Sequence, residues 1–524
     1  MGETKENAGI SLLKKGKRGI LRVVFSRMGL ILVLLLAQIL VIFSAFHWFE
    51  AFLPHIYGGA VLFSAFLVLC VLSSKQDNSA KITWLMVILL LPVFGGLLYL
   101  FITCDVGHRT LKKRSQQLIA ETKTALPQNP EAFAALQAAD PGAAALARYV
   151  ARSGCYPVYD RTNVTYFPLG EDKFKELLVQ LEQAEQFIFL EYFIVNEGTM
   201  WGRILEILAR KAAQGVEVRM LYDGTCEFST LPHDYPKRLE ALGIQCKMFA
   251  PVLPFVSTHY NYRDHRKILV IDGKVAFTGG INLADEYINA YEKYGHWKDT
   301  AVMVEGEAAR SFTLMFLRMW AMDTREWNPA PYLTAPVQPG PDNGFVLPYG
   351  DCPVDSKRVG EQVYMDILNR AQKYVYIMTP YLILDGEMEN ALKYAAERGV
   401  DVRIILPGIP DKPMAYALAF THYASLLESG VQIYEYTPGF VHAKVFLSDD
   451  REGVVGTINL DYRSLYHHFE CAAYLYQVSC LPAIKADFAD TQAKCRRVTP
   501  ATMQAESRKR KITGFLLKPL APLL

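Results

Sequence analysis

The 524-residue chain has almost no net charge: 55 basic against 53 acidic side chains leave +2 with histidine neutral. Bulk charge therefore selects neither a polyanionic nor a polycationic partner, and only local clusters carry such information. A long basic stripe with interleaved aromatics is also missing, which argues against a nucleic-acid partner. The nine cysteines are odd in number, scattered, and never spaced Cys-x-x-Cys. That pattern speaks against a disulfide framework or a zinc site and for buried or free thiols. The first apolar run lacks a clear small-residue cleavage site, so a removable secretory signal is not indicated.

What is plentiful is apolar surface, 51% of residues, with the excess at the N-terminus. Three runs stand there, at 28–49, 56–72 and 82–103. Each approaches or reaches the ~20 residues that a membrane-spanning helix needs, so residues 1–117 read as an anchor of transmembrane helices. Lys5, Lys14, Lys15, Lys17, Arg18, Arg22 and Arg27 favour a cytoplasmic start. Three crossings would then put the remainder outside, but Arg109, Lys112, Lys113 and Arg114 pull the other way. Pro54 and Pro92 leave room for a re-entrant or interfacial segment.

After an Ala- and Pro-rich helical linker (115–151), one pattern occurs twice. "QFIFLEYFIVNEG", "WGRILEILARKAAQG" and "VEVRMLYDG" read as strand, helix, strand, and "KYVYIMTPYLILDG", "EMENALKYAAERG" and "VDVRIILPG" repeat the order. Each set suggests a right-handed βαβ unit in a mostly parallel sheet. Each is followed by one spacing of His, Lys, Asp, Gly and Asn: His265, Lys267, Asp272, Gly279, Asn282, then His442, Lys444, Asp449, Gly456, Asn459. Five matches at fixed spacing are far rarer than roughly one accident in a thousand. The expected fold class is therefore α/β. Two pseudo-symmetric halves, 118–335 and 336–524, meet at the linker "NPAPYLTAPVQPGPDNG" and follow the N-terminal transmembrane helices.

Facing halves bring two imidazoles and two ammonium groups to one point, which suits an anion. A lysine beside each histidine disfavours a metal, since a protonated amine cannot be a ligand. A phosphodiester fits: one neutral histidine attacks phosphorus and the other protonates the leaving alkoxide. Lys267, Lys444, Asn282 and Asn459 would hold the phosphate oxygens. Asp272 precedes Gly273 between two apolar strands, a hairpin signal, so Asp272 and Asp449 read mainly as residues that fix the strand frame. Asp299 and Glu470, 34 residues after His265 and 28 after His442, are candidates for orienting the rings.

With these residues in place, the chain resembles the phospholipase D superfamily, marked by paired His-x-Lys-x4-Asp frames, and more closely its bacterial cardiolipin synthases. "HYNYRDHRKILVIDGKVAFTGGINLADEY", "GFVHAKVFLSDDREGVVGTINLDYRSLYHHFE" and "ITWLMVILLLPVFGGLLYLF" carry the likeness. It implies a membrane enzyme of the bacterial plasma membrane, multi-pass, without metal or other cofactor. It would act on phosphatidylglycerol and other anionic phospholipids, with His265, Lys267, Asp272, His442, Lys444 and Asp449 as its catalytic signature. The implied reaction transfers a phosphatidyl group between two phosphatidylglycerols through a phosphohistidine, giving cardiolipin and glycerol, with His265 the expected nucleophile and His442 the acid/base. Two departures stand out. Gly280 and Thr457 replace a serine common in the superfamily, which implies a hydroxyl contact to phosphate lost in the first half and replaced in the second, and 28–49 is an additional apolar run.

The competing readings are a hydrolase yielding phosphatidic acid, a membrane-bound nuclease, and a non-catalytic lipid-binding scaffold. The C-terminal "SRKRKITGFLLKPLAPLL" joins a basic cluster to an apolar tail, as expected either of a segment resting on anionic headgroups or of a helix closing the core. "PMAYALAFTHYASLLESG" is an amphipathic helix that either belongs to the core or lines a lipid entrance.

Overall fold

Pro92 and the glycines after it decide the shape of the N-terminal region. The computed structural model describes residues 9–12, 27–52, 58–74, 76–103, 106–251, 262–324, 327–334, 336–355 and 357–523; Lys5, Lys14, Lys15, Lys17, Arg18, Arg22, Pro54 and Cys104 lie outside them. The apolar runs form α1 (Arg27–Phe52), α2 (Gly59–Ser73), α3 (Asn78–Leu90) and α4 (Pro92–Thr103). The run at 82–103, in which Pro92 left room for a re-entrant segment, is two helices. Proline cannot continue the ladder of the preceding turn, and α4 folds back on α3. Trp84 meets Tyr99 edge-on at 5.3 Å, and a Cβ on Gly95 would stand 2.5 Å from the Val87 carbonyl oxygen. Among the described residues no helix is long and apolar enough to cross a membrane.

The rest of the chain is built on two mixed sheets with one plan. In the first half, β1 (Asn163–Phe167), β2 (Phe187–Tyr192), β3 (Glu217–Asp223), β4 (Gln245–Phe249), β6 (Lys267–Ile271), β7 (Val275–Gly279) and β9 (Ala301–Glu305) lie in the order β1-β9-β7-β6-β2-β3-β4. Two short strands, β5 (Arg263–Asp264) and β8 (His296–Lys298), stand outside that sheet. The second half repeats the order with β10 (Phe345–Asp351), β19 (His468–Tyr476), β17 (Glu452–Gly456), β16 (Val445–Ser448), β11 (Tyr374–Met378), β13 (Asp401–Pro407) and β14 (Gln432–Tyr436). Further short strands are β12 (Leu382–Ile383), β15 (Gly439–Val441), β18 (Leu460–Asp461) and an added edge, β20 (Cys495–Arg497).

The βαβ expectation holds locally. β2 and β3 are parallel, and so are β11 and β13. Between β2 and β3, α5 (Thr199–Ala213) buries Met200, Trp201, Ile204, Leu205 and Leu208 on one face, the i, i+4, i+8 pattern of an amphipathic helix. The sheets are not mostly parallel, however. In the first, β1-β9, β9-β7, β7-β6 and β6-β2 all pair antiparallel, and a tight turn rather than a crossover helix joins β6 to β7. Asp272 and Gly273 turn β6 into β7 with φ of 52° and 65°, and Asp449 and Asp450 do the same with 54° and 57°.

One continuous apolar core runs through both halves, from Phe189, Val270 and Val302 to Val346, Val375 and Val455. The eight described cysteines are free thiols. At the far end, α6 (Pro413–Glu428) carries α7 (Arg508–Leu517): a Cβ on Gly514 would meet the Ala417 carbonyl oxygen at 2.4 Å. The opposite face of α7 leaves Ile512, Phe515 and Leu516 exposed, while Thr83 Oγ1 of α3 donates to the Pro519 carbonyl at 2.7 Å. The C-terminal segment therefore both closes the core and presents an apolar face beside the N-terminal helices.

Candidate active site

The short strands build the site. β5, immediately before His265, pairs with His468 and Phe469, immediately before Glu470 of the other half. Likewise β15, immediately before His442, pairs with β8, immediately before Asp299. The His265 amide donates to the Phe469 carbonyl at 3.0 Å and the His442 amide to the Lys298 carbonyl at 2.7 Å. Each histidine is thereby set against the carboxylate of the opposite half. His265 Nδ1 lies 2.9 and 3.0 Å from the two Glu470 oxygens, and His442 Nδ1 lies 2.7 Å from Asp299 Oδ2.

With Nδ1–H donated to a carboxylate, each ring keeps the Nε2 lone pair available. Burial holds both imidazoles well below their ordinary pKa, helped by Lys267 at His265 and by Lys444 and Lys267 at His442. The carboxylates differ. Burial alone would raise Glu470, but His265, His468 and their hydrogen bonds outweigh it and hold the acid well below its usual range. Thr457 and Ser464 hydroxyls donate to it as well. Asp299 has the Thr300 amide at 2.8 Å besides His442, and burial pushes it up to about 6.

Lys267 and Lys444 are buried, and each is within electrostatic reach of both Asp299 and Glu470. Burial lowers Lys267 to about 8 and Lys444 to about 7. Lys267 Nζ donates to the His265 carbonyl at 2.5 Å and lies 5.4 Å from the Phe193 ring centroid. Lys444 donates to the His442 carbonyl, with His442 Nδ1 at 2.9 Å. Two histidines, two lysines and two carboxylates are thus drawn together.

Other expected site residues stand elsewhere. The Asp272 carboxylate accepts from the amides of Glu185, Gln186 and Phe187 at 2.8–2.9 Å, and Asp449 from those of Gln372, Lys373 and Tyr374 at the same distances. Each aspartate ties its turn to the start of the central strand, away from the imidazoles. Both ends of the Asn282 amide are taken: Oδ1 accepts from the Ile194 amide at 3.0 Å and Nδ2 donates to Tyr287 Oη at 2.7 Å. Asn459 Oδ1 is buried and has no hydrogen-bond partner among the described residues. The Thr457 hydroxyl, expected on phosphate, turns instead to Glu470. At Gly280 a Cβ would stand 2.0 Å from Asp299 Oδ1, so no side chain fits there.

Residues not singled out in the sequence complete the setting. His468 lies two positions before Glu470 on the same strand face; its ring is 5.2 Å from that of His265, and its Nδ1 is 3.5 Å from Glu470 Oε1. Its signal was the period-2 alternation of "HHFE". Trp297, two positions before Asp299, lies 5.6 Å from the His442 ring and Tyr287 5.5 Å. Beneath the first motif, Arg266 pairs with Glu191 at 2.7 Å and Asp264 at 3.2 Å. Among the described residues, the group of metal-ligating types is His265, His468 and Glu470, with ligand atoms within 4.8 Å. A dication there would have to displace the Nδ1 proton of His265 and sit beside Lys267, which disfavours it.

Comparison with known proteins bears on the family of the chain. The family model "Cardiolipin synthase, PLD-like domain" matches residues 177–320 and 364–491, and "Phospholipase_D-nuclease N-terminal" matches 61–102. The chain is 57% identical to an uncharacterized protein of Streptococcus mutans over 87% of its length and 99% of the relative's. It is 35% identical to a cardiolipin synthase of Halalkalibacterium halodurans (81% and 84% covered) and 34% to one of Geobacillus kaustophilus (88% and 92%). The fold is similar to that of a phosphatidylserine synthase of Haemophilus influenzae, with a TM-score of 0.53 at 17% identity, covering 69% of this chain and 93% of that one.

Proposed function

The chain belongs to the family of phospholipase D-like cardiolipin synthases and is a phosphatidyltransferase, and from that premise we propose that it joins two phosphatidylglycerols into cardiolipin, releasing glycerol. The observation that carries the chemistry is the crossed pairing of His265 with Glu470 and His442 with Asp299. Neutral His265 attacks phosphorus through Nε2 as the P–O bond to glycerol breaks, and His442, entering the step as the imidazolium with Nδ1–H held by Asp299, gives its Nε2 proton to the departing oxygen, leaving a phosphatidyl-histidine. The hydroxyl of a second phosphatidylglycerol then loses its proton to His442 and attacks phosphorus, the P–N bond breaks, and His265 is freed.

The two carboxylates suit these roles. Glu470, held ionised by several donors, stabilises the positive charge that builds on a phosphorylated His265. Asp299, raised to about 6 by burial, is ionised at neutral pH and accepts the His442 Nδ1 proton, so it orients the ring and stabilises its protonated form. Lys267 and Lys444 stabilise the negative oxygens of the transition state. Residues 118–335 and 336–524 act as one catalytic body. The apolar N-terminal helices and the exposed face of α7 hold that body at the bacterial plasma membrane, where its anionic substrates lie.

The test is a product assay on purified protein in micelles with phosphatidylglycerol as sole lipid and a chelator present. Cardiolipin with matching glycerol, absent in His265→Ala, is the expected result; phosphatidic acid alone would move the protein to the hydrolases.

A further inference from the structure

Residues 9–12, ahead of α1, are held against the first half of the catalytic body. Ile10 and Leu12 pack on its apolar core. Gly9, at a φ of 62°, comes so close to α5 that a Cβ would stand 2.2 Å from the Gly202 carbonyl carbon, and the Ile10 amide donates to the Gly202 carbonyl at 3.1 Å. Glu197 accepts from the Leu12 amide at 2.8 Å, from the Ser11 hydroxyl at 2.5 Å and from Tyr235 Oη at 3.1 Å. Arg238 donates from Nη1 to the Leu12 carbonyl at 2.7 Å and from Nε to Asp234 at 3.0 Å. Beyond the apolar helices the chain is tied to the same body. Arg114, in the helix Val106–Glu121, donates from Nη2 to the Ala321 carbonyl at 2.9 Å, and Ser115 Oγ lies 3.4 Å from Cys352 Sγ.

We propose that residues 9–12 are a clasp that fixes the start of the apolar region to the catalytic body, so that the chain enters and leaves the bilayer from one face, the cytoplasmic one. The proposal rests on the membrane reading above. Between the clasp and α1 the sequence carries Lys14, Lys15, Lys17, Arg18 and Arg22, and a connection with that many cations does not pass through hydrocarbon. The start of α1 therefore lies on the face where the body lies, and Arg114 returns the chain to that face after α4. An odd number of crossings does not fit. The break at Pro92, with Thr83 of α3 bonded to the Pro519 carbonyl, suits a region that dips in and comes back. The basic residues before α1 and those at 109–114 oppose each other in a chain of three crossings; here they share one side. That side is cytoplasmic, since basic flanks stay inside.

Two measurements on the full-length protein in bacterial cells test this. Glu240 is exposed on the body. As Glu240→Cys it should resist a membrane-impermeant maleimide in intact cells and take the label once the cells are opened, with the labelled peptide identified by mass spectrometry. Labelling before opening would put the body outside and overturn the proposal. For the clasp, Ser11→Cys combined with Asp234→Cys leaves the Glu197 and Arg238 bonds to Leu12 in place, and a permeant bismaleimide should join the two peptides. Adding Glu197→Ala should lose most of that product. No cross-link, or one that Glu197→Ala leaves unchanged, would overturn the clasp. A protein that carbonate washes off the membrane would overturn the membrane reading and the proposal with it.

Discussion

The two halves share a seven-strand order and the same motif spacing, yet they surround their histidines differently. Two residues before the acid, the first half has Trp297 against His442 and the second has His468 against His265. Asp299 has an amide and one imidazole for partners and is pushed up, whereas Glu470 gathers two hydroxyls and two imidazoles and is held down. The repeated residues thus supply a frame common to both sides, and the unrepeated neighbours differ, which is the ground for the proposed division of roles. Symmetry of motif does not entail symmetry of function.

The largest effect that separates frame from role is removal of a histidine. His265→Ala and His442→Ala should each lower kcat by about 10³-fold or more, since nucleophile and proton donor act as one unit. Steady-state turnover checks this, and a variant with near-normal rate would dissolve the shared site. Next come the carboxylates. Glu470→Gln and Asp299→Asn should each cost about 10²-fold, but only Asp299→Asn should erase the acid limb of the pH profile.

That profile is itself a prediction. Asp299, raised to about 6, is neutral below that pH and loses its grip on the His442 proton. Lys444 and Lys267, lowered to about 7 and about 8, are charged below those values and lose their charge above them. Activity should therefore rise through pH 6 and decline above about 7, measured as kcat/KM across buffers at constant ionic strength; a flat profile from 5 to 9 would contradict it. A smaller effect tests the asymmetry directly: His468→Trp copies the first half into the second and should cost roughly tenfold in kcat.

On the symmetric side, Asp272→Ala and Asp449→Ala each strip an acceptor from three backbone amides. Each should destabilise the fold by about 3–5 kcal/mol in chemical denaturation, by similar amounts, because both do the same work in the frame.

Much of the frame was legible in the chain. The paired spacings located both hairpins, and the apolar runs of the repeated strand–helix–strand order located β2, β3, β11 and β13, since these depend on local turn chemistry and composition. The crossing of His265 to Glu470 was not legible, because it arises from β5 pairing with β19, a contact between segments some two hundred positions apart. His468 stood in plain view in "LYHHFE", but its neighbours are set by that same pairing. Asn282 was expected on phosphate, and the fold instead uses it to join Ile194 to Tyr287. At 82–103, hydropathy alone allows a span, but Pro92 signalled the break that the structure shows, and Gly95 lets the second helix pack closely on the first.

The most direct measurement is to trap the covalent intermediate: quench the enzyme during turnover of phosphatidylglycerol and map the phosphatidyl adduct by peptide mass spectrometry. The adduct should sit on the peptide containing His265, and it should vanish in His265→Ala. An adduct on His442 would reverse the roles that the crossed pairs assign.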